Sequence, residues 1–204
     1  QMKGSKVNYA WTPMVDHINN VEDMQGPGKF AKQAKKFIGS LLHLQRCTRG
    51  DLAYGVGWLA RHISKWTQED DVRLDRIIGY LKATADIQLN WTIHGKDAEF
   101  AIVTYTDSDF AGDSSDSKST SGYITCIVGK HGTMITLDWG SKKQSIVAKS
   151  TGEAEIVGIL TGLTRSGYPV AIYFEQVNES KMPLFLITDS SAAKSAVTSP
   201  HTSK

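Results

Sequence analysis

Two spacings of apolar residues divide this 204-residue chain. Residues 1–28 hold no sustained period and are punctuated by Gly4, Pro13, Gly26, Pro27 and Gly28, which predicts irregular structure. From Phe30 the spacing is helical. Phe30, Ala34, Phe37, Ile38, Leu41 and Leu42 fall on one face, with Lys32, Lys35 and Lys36 off it. Leu52, Val56, Leu59 and Ile63 form the stripe of a second helix over 51–64. Thr67 caps a third, with Glu69, Asp70 and Asp71 at the positive end of its dipole and Lys82 near its close.

After Leu89 the period shortens. Residues 99–106, 123–128, 133–139 and 144–148 are rich in Ile, Val, Thr and Tyr and predict strands, with a hairpin turn from Gly129 to Gly132. The polar run 108–121 reads as a loop. Ser150 or Thr151 caps a helix to about Arg165 that would bury Ile156, Ile159, Leu160 and Leu163. A strand over 184–188 and a short helix over 190–197 close the pattern. This order predicts an α/β unit over 98–204 after a mainly helical unit over 1–97. The first strand is expected to be central, between a parallel and an antiparallel neighbour.

The net charge of +2 is informative only when divided. Residues 1–97 carry 14 Lys and Arg against 10 Asp and Glu, a charge of +4; residues 98–204 carry 9 against 11, a charge of −2. A basic half beside an acidic half suits a nucleic-acid protein whose cation site lies in the acidic part. Cys47 and Cys126 fit neither a metal spacing nor a disulfide framework, which predicts a reducing, intracellular setting. No apolar run reaches membrane-spanning length, and neither a signal peptide nor a membrane partner is expected. The chain opens on Gln1 and closes on HTSK (201–204) without a terminating element, and so reads as a piece of something longer.

Three acidic strings carry the candidate chemistry: YTDSDFAGD (105–113), STGEAEIVG (150–158) and LITDSSAAKSAV (186–197). The first and third put Asp107 and Asp189 directly after apolar, β-prone runs, and the second puts glutamates inside a helix start. Magnesium prefers hard oxygen ligands, usually a few carboxylates with water and substrate phosphate. Two such ions side by side can activate water and stabilise a leaving oxygen in phosphodiester cleavage. Glu153 and Glu155 cannot both face one site, since helix positions two apart point nearly oppositely. Glu155 adjoins the buried stripe and Glu153 faces solvent. Asp107, Asp109 and Gly112 mimic the opening of a calcium loop, but Ala111 and Lys118 stand where that loop needs ligands.

Longer strings resemble a known family. IVTYTDSDFAGD, KSTSGY (118–123), DWGSKKQ (138–144), VAKSTGEAE (147–155) and LITDSSAA (186–193) resemble the ribonuclease H domain of copia-type (long-terminal-repeat) retrotransposon Pol polyproteins. WTPM (11–14), FIGSLLHL (37–44), TRGDLAYGVGWLAR (48–61) and IIGYLKATAD (77–86) resemble the end of the reverse transcriptase just upstream. The resemblance implies a ribonuclease H-like mixed sheet over 98–204, after a thumb- or connection-like segment over 1–97. It implies a nuclease that cuts RNA in an RNA–DNA hybrid with two magnesium (or manganese) ions, using Asp107, Glu155 and Asp189 as ligands. It also implies, as partner, the rest of the polyprotein, in a cytoplasmic particle or the nucleus. The family's fourth acidic ligand follows a His-x-x-[ST]-K string that HTSK begins, so these 204 residues alone are expected to cut weakly or not at all. His201 would be a mobile group near the site.

Lys32, Lys35 and Lys36, with Lys29, are candidates for phosphate contact. Trp58, Trp66, Trp91 and Trp139 are expected in core or interdomain packing rather than base stacking. The competing reading is a catalytically silent ribonuclease H-like module that connects or binds nucleic acid, or a host-adopted remnant.

Overall fold

The computed structural model describes residues 8–15, 18, 21–113 and 116–198. Its contacts divide the chain into two compact units, Gln1–Leu89 and Asn90–Lys204. The division falls before the expected 97/98 because residues 90–97 are fastened to the second unit. Thr92 N donates to Met134 O at 3.0 Å and Met134 N donates back to Thr92 O at 2.8 Å. The Asp97 carboxylate accepts from His131 N at 2.7 Å and from Thr133 N at 3.1 Å, holding the hairpin turn.

The first unit contains helices α1 (Ala34–Cys47), α2 (Ala53–His62) and α3 (Gln68–Ala83). Ile38, Leu41, Leu52, Val56, Leu59, Leu74 and Ile77 share its buried core, as the helical stripes require. Leu42, expected on that face, is exposed instead; it lies one position beyond Leu41 and so turns about 100° away. Thr67 and Asp70 form a capping box at α3, with Thr67 N donating to Asp70 Oδ2 at 2.7 Å. A polar knot, buried at Arg49, Tyr80 and Thr84 and open to solvent at Asp51, adds to this. Arg49 Nη2 donates to Asp51 Oδ2 at 2.8 Å and to Thr84 Oγ1 at 2.7 Å, and Tyr80 Oη donates to Asp51 Oδ2 at 2.7 Å. The knot ties the turn before α2 to the end of α3.

The second unit is α/β. Strands β1 (Phe100–Asp113), β2 (Lys118–Gly129), β3 (Met134–Lys143) and β4 (Leu184–Ile187) form a mixed sheet in the order β3-β2-β1-β4. β1 is interior, antiparallel to β2 and parallel to β4, as expected. Helix α4 (Thr151–Gly162) passes through a π turn (Leu163–Gly167) into α5 (Tyr168–Asn178), and α6 (Ser191–Thr198) follows β4. Among the described residues no helix is long and apolar enough to cross a membrane.

Three expectations are corrected here and one helix is added. β1 runs on well past residue 106, because Asp107 and Asp109 pair with Gly122 and Thr120 of β2, so the polar run 108–121 is largely sheet. Residues 144–148 are not a strand. Gln144 turns inward while Ile146 and Val147 are exposed. Helix α5 is an element the apolar pattern does not predict; Pro169 sits in its first turn, where a missing N–H is harmless. Finally, α4 buries Ala154, Glu155, Gly158, Ile159 and Gly162, leaving Leu160 exposed.

This last shift has a steric cause. The face of β1 beneath α4 carries Thr104, Thr106 and Ser108, all buried and all small. The glycines of α4 let its backbone settle onto them. A Cβ on Gly162 would lie 2.5 Å from Thr106 Cγ2 and 3.2 Å from Tyr123 Cβ, and one on Gly158 would collide with Ser108 Oγ. Gly162→Ala is therefore expected to destabilise the second unit by about 1–3 kcal/mol despite alanine's better helix propensity. Thermal unfolding followed by circular dichroism checks this. An unchanged or raised Tm would mean that α4 does not sit this close to the sheet.

Candidate metal centre

Asp107, Glu155 and Asp189 reach one point from three elements. The ladder places the two aspartates: Tyr105 of β1 pairs with Ile187 of β4, and each aspartate lies two residues further along its own strand direction. Glu155 arrives from α4. One carboxylate oxygen from each residue lies within 4.8 Å of the other two. Asp107 and Asp189 are exposed, whereas Glu155 is only 5% exposed.

Local hydrogen bonds set these orientations. Ser150 caps α4, its Oγ accepting from Glu153 N at 3.2 Å, while Glu153 Oε2 accepts from Lys149 N at 2.7 Å. Glu153 is thus occupied at the helix end and lies outside the cluster, as expected. Ser190 Oγ accepts from Ala193 N at 3.1 Å and so fills the capping position of α6, relieving Asp189 of that role. Ser108 N donates to Asp107 Oδ1 at 2.8 Å.

Glu155 is the electrostatically unusual member. Burial first, then the neighbouring charges of Asp107 and Asp189, push its pKa above the ordinary glutamate value, against a smaller opposing effect of the Ser108 N–H. Its Oε2 is buried without a hydrogen-bond partner. A buried carboxylate oxygen of this kind is costly unless something positive meets it. Three hard oxygen donors around one point, one of them orphaned, fit a divalent cation such as magnesium or manganese.

Lys32, Lys35 and Lys36 are exposed in the first unit, at and just before the start of α1. Trp66 and Trp139 are buried, and Trp58 packs against Arg73, whose guanidinium carbon lies 4.2 Å from the ring centroid. Trp91 departs from the packing expectation: it is 60% exposed, with Nε1 donating to Thr136 O at 3.1 Å. His201 and the rest of HTSK lie outside the described residues. Sequence reasoning did not assign Gln144 a role. Its side chain is buried and donates to Ser121 Oγ and Ala154 O, both at 2.9 Å.

Comparison with known proteins agrees with the sequence motifs. The chain is 32% identical over 152 residues to the retrovirus-related Pol polyprotein from transposon TNT 1-94 of Nicotiana tabacum, a match covering 72% of the chain and 11% of that protein. It is 37% identical over 122 residues to the Pol polyprotein from transposon RE2 of Arabidopsis thaliana, covering 58% of the chain and 8% of that protein. It is also 34% identical over 122 residues to secreted RxLR effector protein 161 of Plasmopara viticola, covering 60% of the chain and 80% of that protein. No protein-family model matches. The chain is similar to copia-type retrotransposon Pol polyproteins over more than half of its length. It spans about a tenth of the length of the two it is compared with here.

The raised pKa of Glu155 gives a signed prediction. In cation-free protein, folding favours the protonated acid, so ionised Glu155 works against the fold at neutral pH. Its favourable contribution is complete below the unfolded value of 4.5 and is lost as pH rises through the higher folded value. In EDTA at neutral pH, Glu155→Gln is expected to raise Tm by about 2–4 °C, and this gain should vanish as pH falls below the ordinary glutamate range. Scanning calorimetry across pH tests it. A variant less stable than the parent at neutral pH would contradict the assigned electrostatics.

Proposed function

We propose that the second unit is a ribonuclease H-like nuclease that hydrolyses the RNA strand of an RNA–DNA hybrid. Asp107, Glu155 and Asp189 would hold two divalent cations, magnesium or manganese. The first unit is read as the end of the adjoining reverse transcriptase, with Lys32, Lys35 and Lys36 lying along nucleic-acid phosphates. The native setting would be a larger polyprotein in an intracellular particle or the nucleus.

One observation carries this reading: the orphaned, buried oxygen of Glu155 beside two exposed carboxylates. A connecting module has no use for three acids forced together, one of them out of water. The interior position of β1, parallel to β4, and the order of the family motifs add support.

The residues divide the work by their surroundings. Asp107 and Asp189, exposed, form the rim that a phosphodiester approaches. Glu155 forms the floor, where burial keeps its carboxylate from wandering. Ser108 N–H holds Asp107 in one rotamer, limiting the reorganisation needed when substrate arrives. The bare cluster would repel a polyanion, so substrate entry depends on its charge being offset. A bound divalent cation would supply that offset together with Lewis-acid activation of water.

The test is cleavage of an RNA–DNA hybrid labelled on the RNA strand, with manganese or magnesium and with EDTA. Slow cation-dependent cutting of the RNA strand is expected, with an all-DNA duplex left intact. Asp107→Asn should lower the rate at least ~100-fold, since each 1.36 kcal/mol lost in the transition state is about tenfold. Cutting that survives EDTA or Asp107→Asn would overturn the assignment. Manganese binding with no cutting of the hybrid, by this chain and by one extended downstream through a further acidic residue, would give precedence to the silent module.

A further inference from the structure

The two halves of the carboxylate cluster stand on different layers: Asp107 on the sheet and Glu155 on the helix above it. The glycines of α4 permit a close approach but do not fix its position, since a smooth contact can slide. A specific fastening joins the layers beside the site. Ser108, next to Asp107, pairs across the ladder with Ser121 of β2. Gln144 Nε2 donates to Ser121 Oγ at 2.9 Å and to Ala154 O at 2.9 Å. Ala154 immediately precedes Glu155.

We infer that Gln144 is a positioning residue of the cation site, clamping the helix turn that bears Glu155 to the strand pair that bears Asp107. The inference rests on the metal-centre reading above and adds a residue that touches no ligand. Three features single out Gln144. It is 5% exposed, and its backbone N–H is separately anchored to Ser119 O at 2.8 Å. Only one orientation of its amide serves, because the Ala154 carbonyl can only accept and therefore needs the NH2 group. That orientation leaves Gln144 Oε1 buried without a partner. A position kept for general stability would not require an amide with an unsatisfied oxygen, whereas joining a hydroxyl to a helix carbonyl requires a forked donor of this length. Groups that orient metal ligands from behind typically govern affinity by about 10- to 100-fold.

Manganese binding by the 204-residue chain tests this, through calorimetric Kd and through the Tm rise that manganese produces over EDTA. The parent chain is expected to bind and Asp107→Asn to lose binding. Gln144→Met, similar in length but without a donor, should weaken the Kd by about tenfold and shrink the manganese-induced Tm rise. Should Gln144→Met fail to fold, Ser121→Ala decides, because it removes only the strand end of the clamp; it should weaken binding several-fold. A merely structural Gln144 would lower Tm in EDTA while leaving both the Kd and the manganese-induced rise unchanged, and that result overturns the inference. A parent chain that does not bind manganese, or an Asp107→Asn chain that binds as well, overturns the metal-centre reading itself.

Discussion

The contact between α4 and β1 is the constraint on which the second unit depends. Glu155 stands among acids carried by the sheet only because Gly158 and Gly162 have no side chains where Ser108, Thr106 and Tyr123 already fill the space. That closeness has a consequence for the core. Its purely apolar part, around Ile102, Ile127 and Ala171, is small. Elsewhere beneath α4 the buried layer is made of hydroxyls and an amide, which are tolerable in a dry interior only where they find partners. Thr104 and Thr125 do, bonding each other at 3.1 Å. Thr106 Oγ1 and Ser108 Oγ do not. Apolar burial has been exchanged here for a short helix-to-sheet distance.

Two buried acids in this protein show how structural and chemical roles diverge. Asp70, fully buried, accepts from His62 Nδ1 at 2.9 Å, Thr67 N at 2.7 Å and Thr67 Oγ1 at 3.1 Å, with His62 in its protonated or Nδ1–H form. Its charge is met on every side, and it serves as a cap. Glu155 is almost as buried but faces two further carboxylates and keeps an oxygen without a partner. One acid is thus satisfied within the chain, while the other keeps an unmet oxygen and two like-charged neighbours, the contrast on which the proposed cation site rests.

The helical stripes of the first unit were legible because apolar residues there outnumber alternatives at each turn, and the acids at the start of α3 declared its cap. The meeting of Asp107, Glu155 and Asp189 was legible because each follows a distinctive string. What escaped was set by partners far away in sequence. Asp107 lies inside a strand rather than after it, since pairing with Gly122 overrides the turn preference of Ser and Asp. Leu160 points outward although leucine usually marks a core face, because the glycine side of α4 fits the sheet better. Gln144 looked like strand because its neighbours Ile146 and Val147 are β-branched. Its value lies in two hydrogen bonds across 23 and 10 residues that no local pattern reveals.

The parallel pairing of β1 with β4 extends over only four residue pairs, Ile102 with Leu184 through Tyr105 with Ile187. Because Asp107 and Asp189 leave that ladder at the same offset, their separation is inherited from backbone spacing, not from the chain that runs between them. The turn after β2 and the connection from α5 to β4 could lengthen or shorten without moving either acid. A one-residue deletion between Ile187 and Asp189 would instead swing that carboxylate to the opposite side of the strand. Length changes are thus tolerated in those two connections and excluded at Thr106 and Thr188, the single residues between the last rung and its acid.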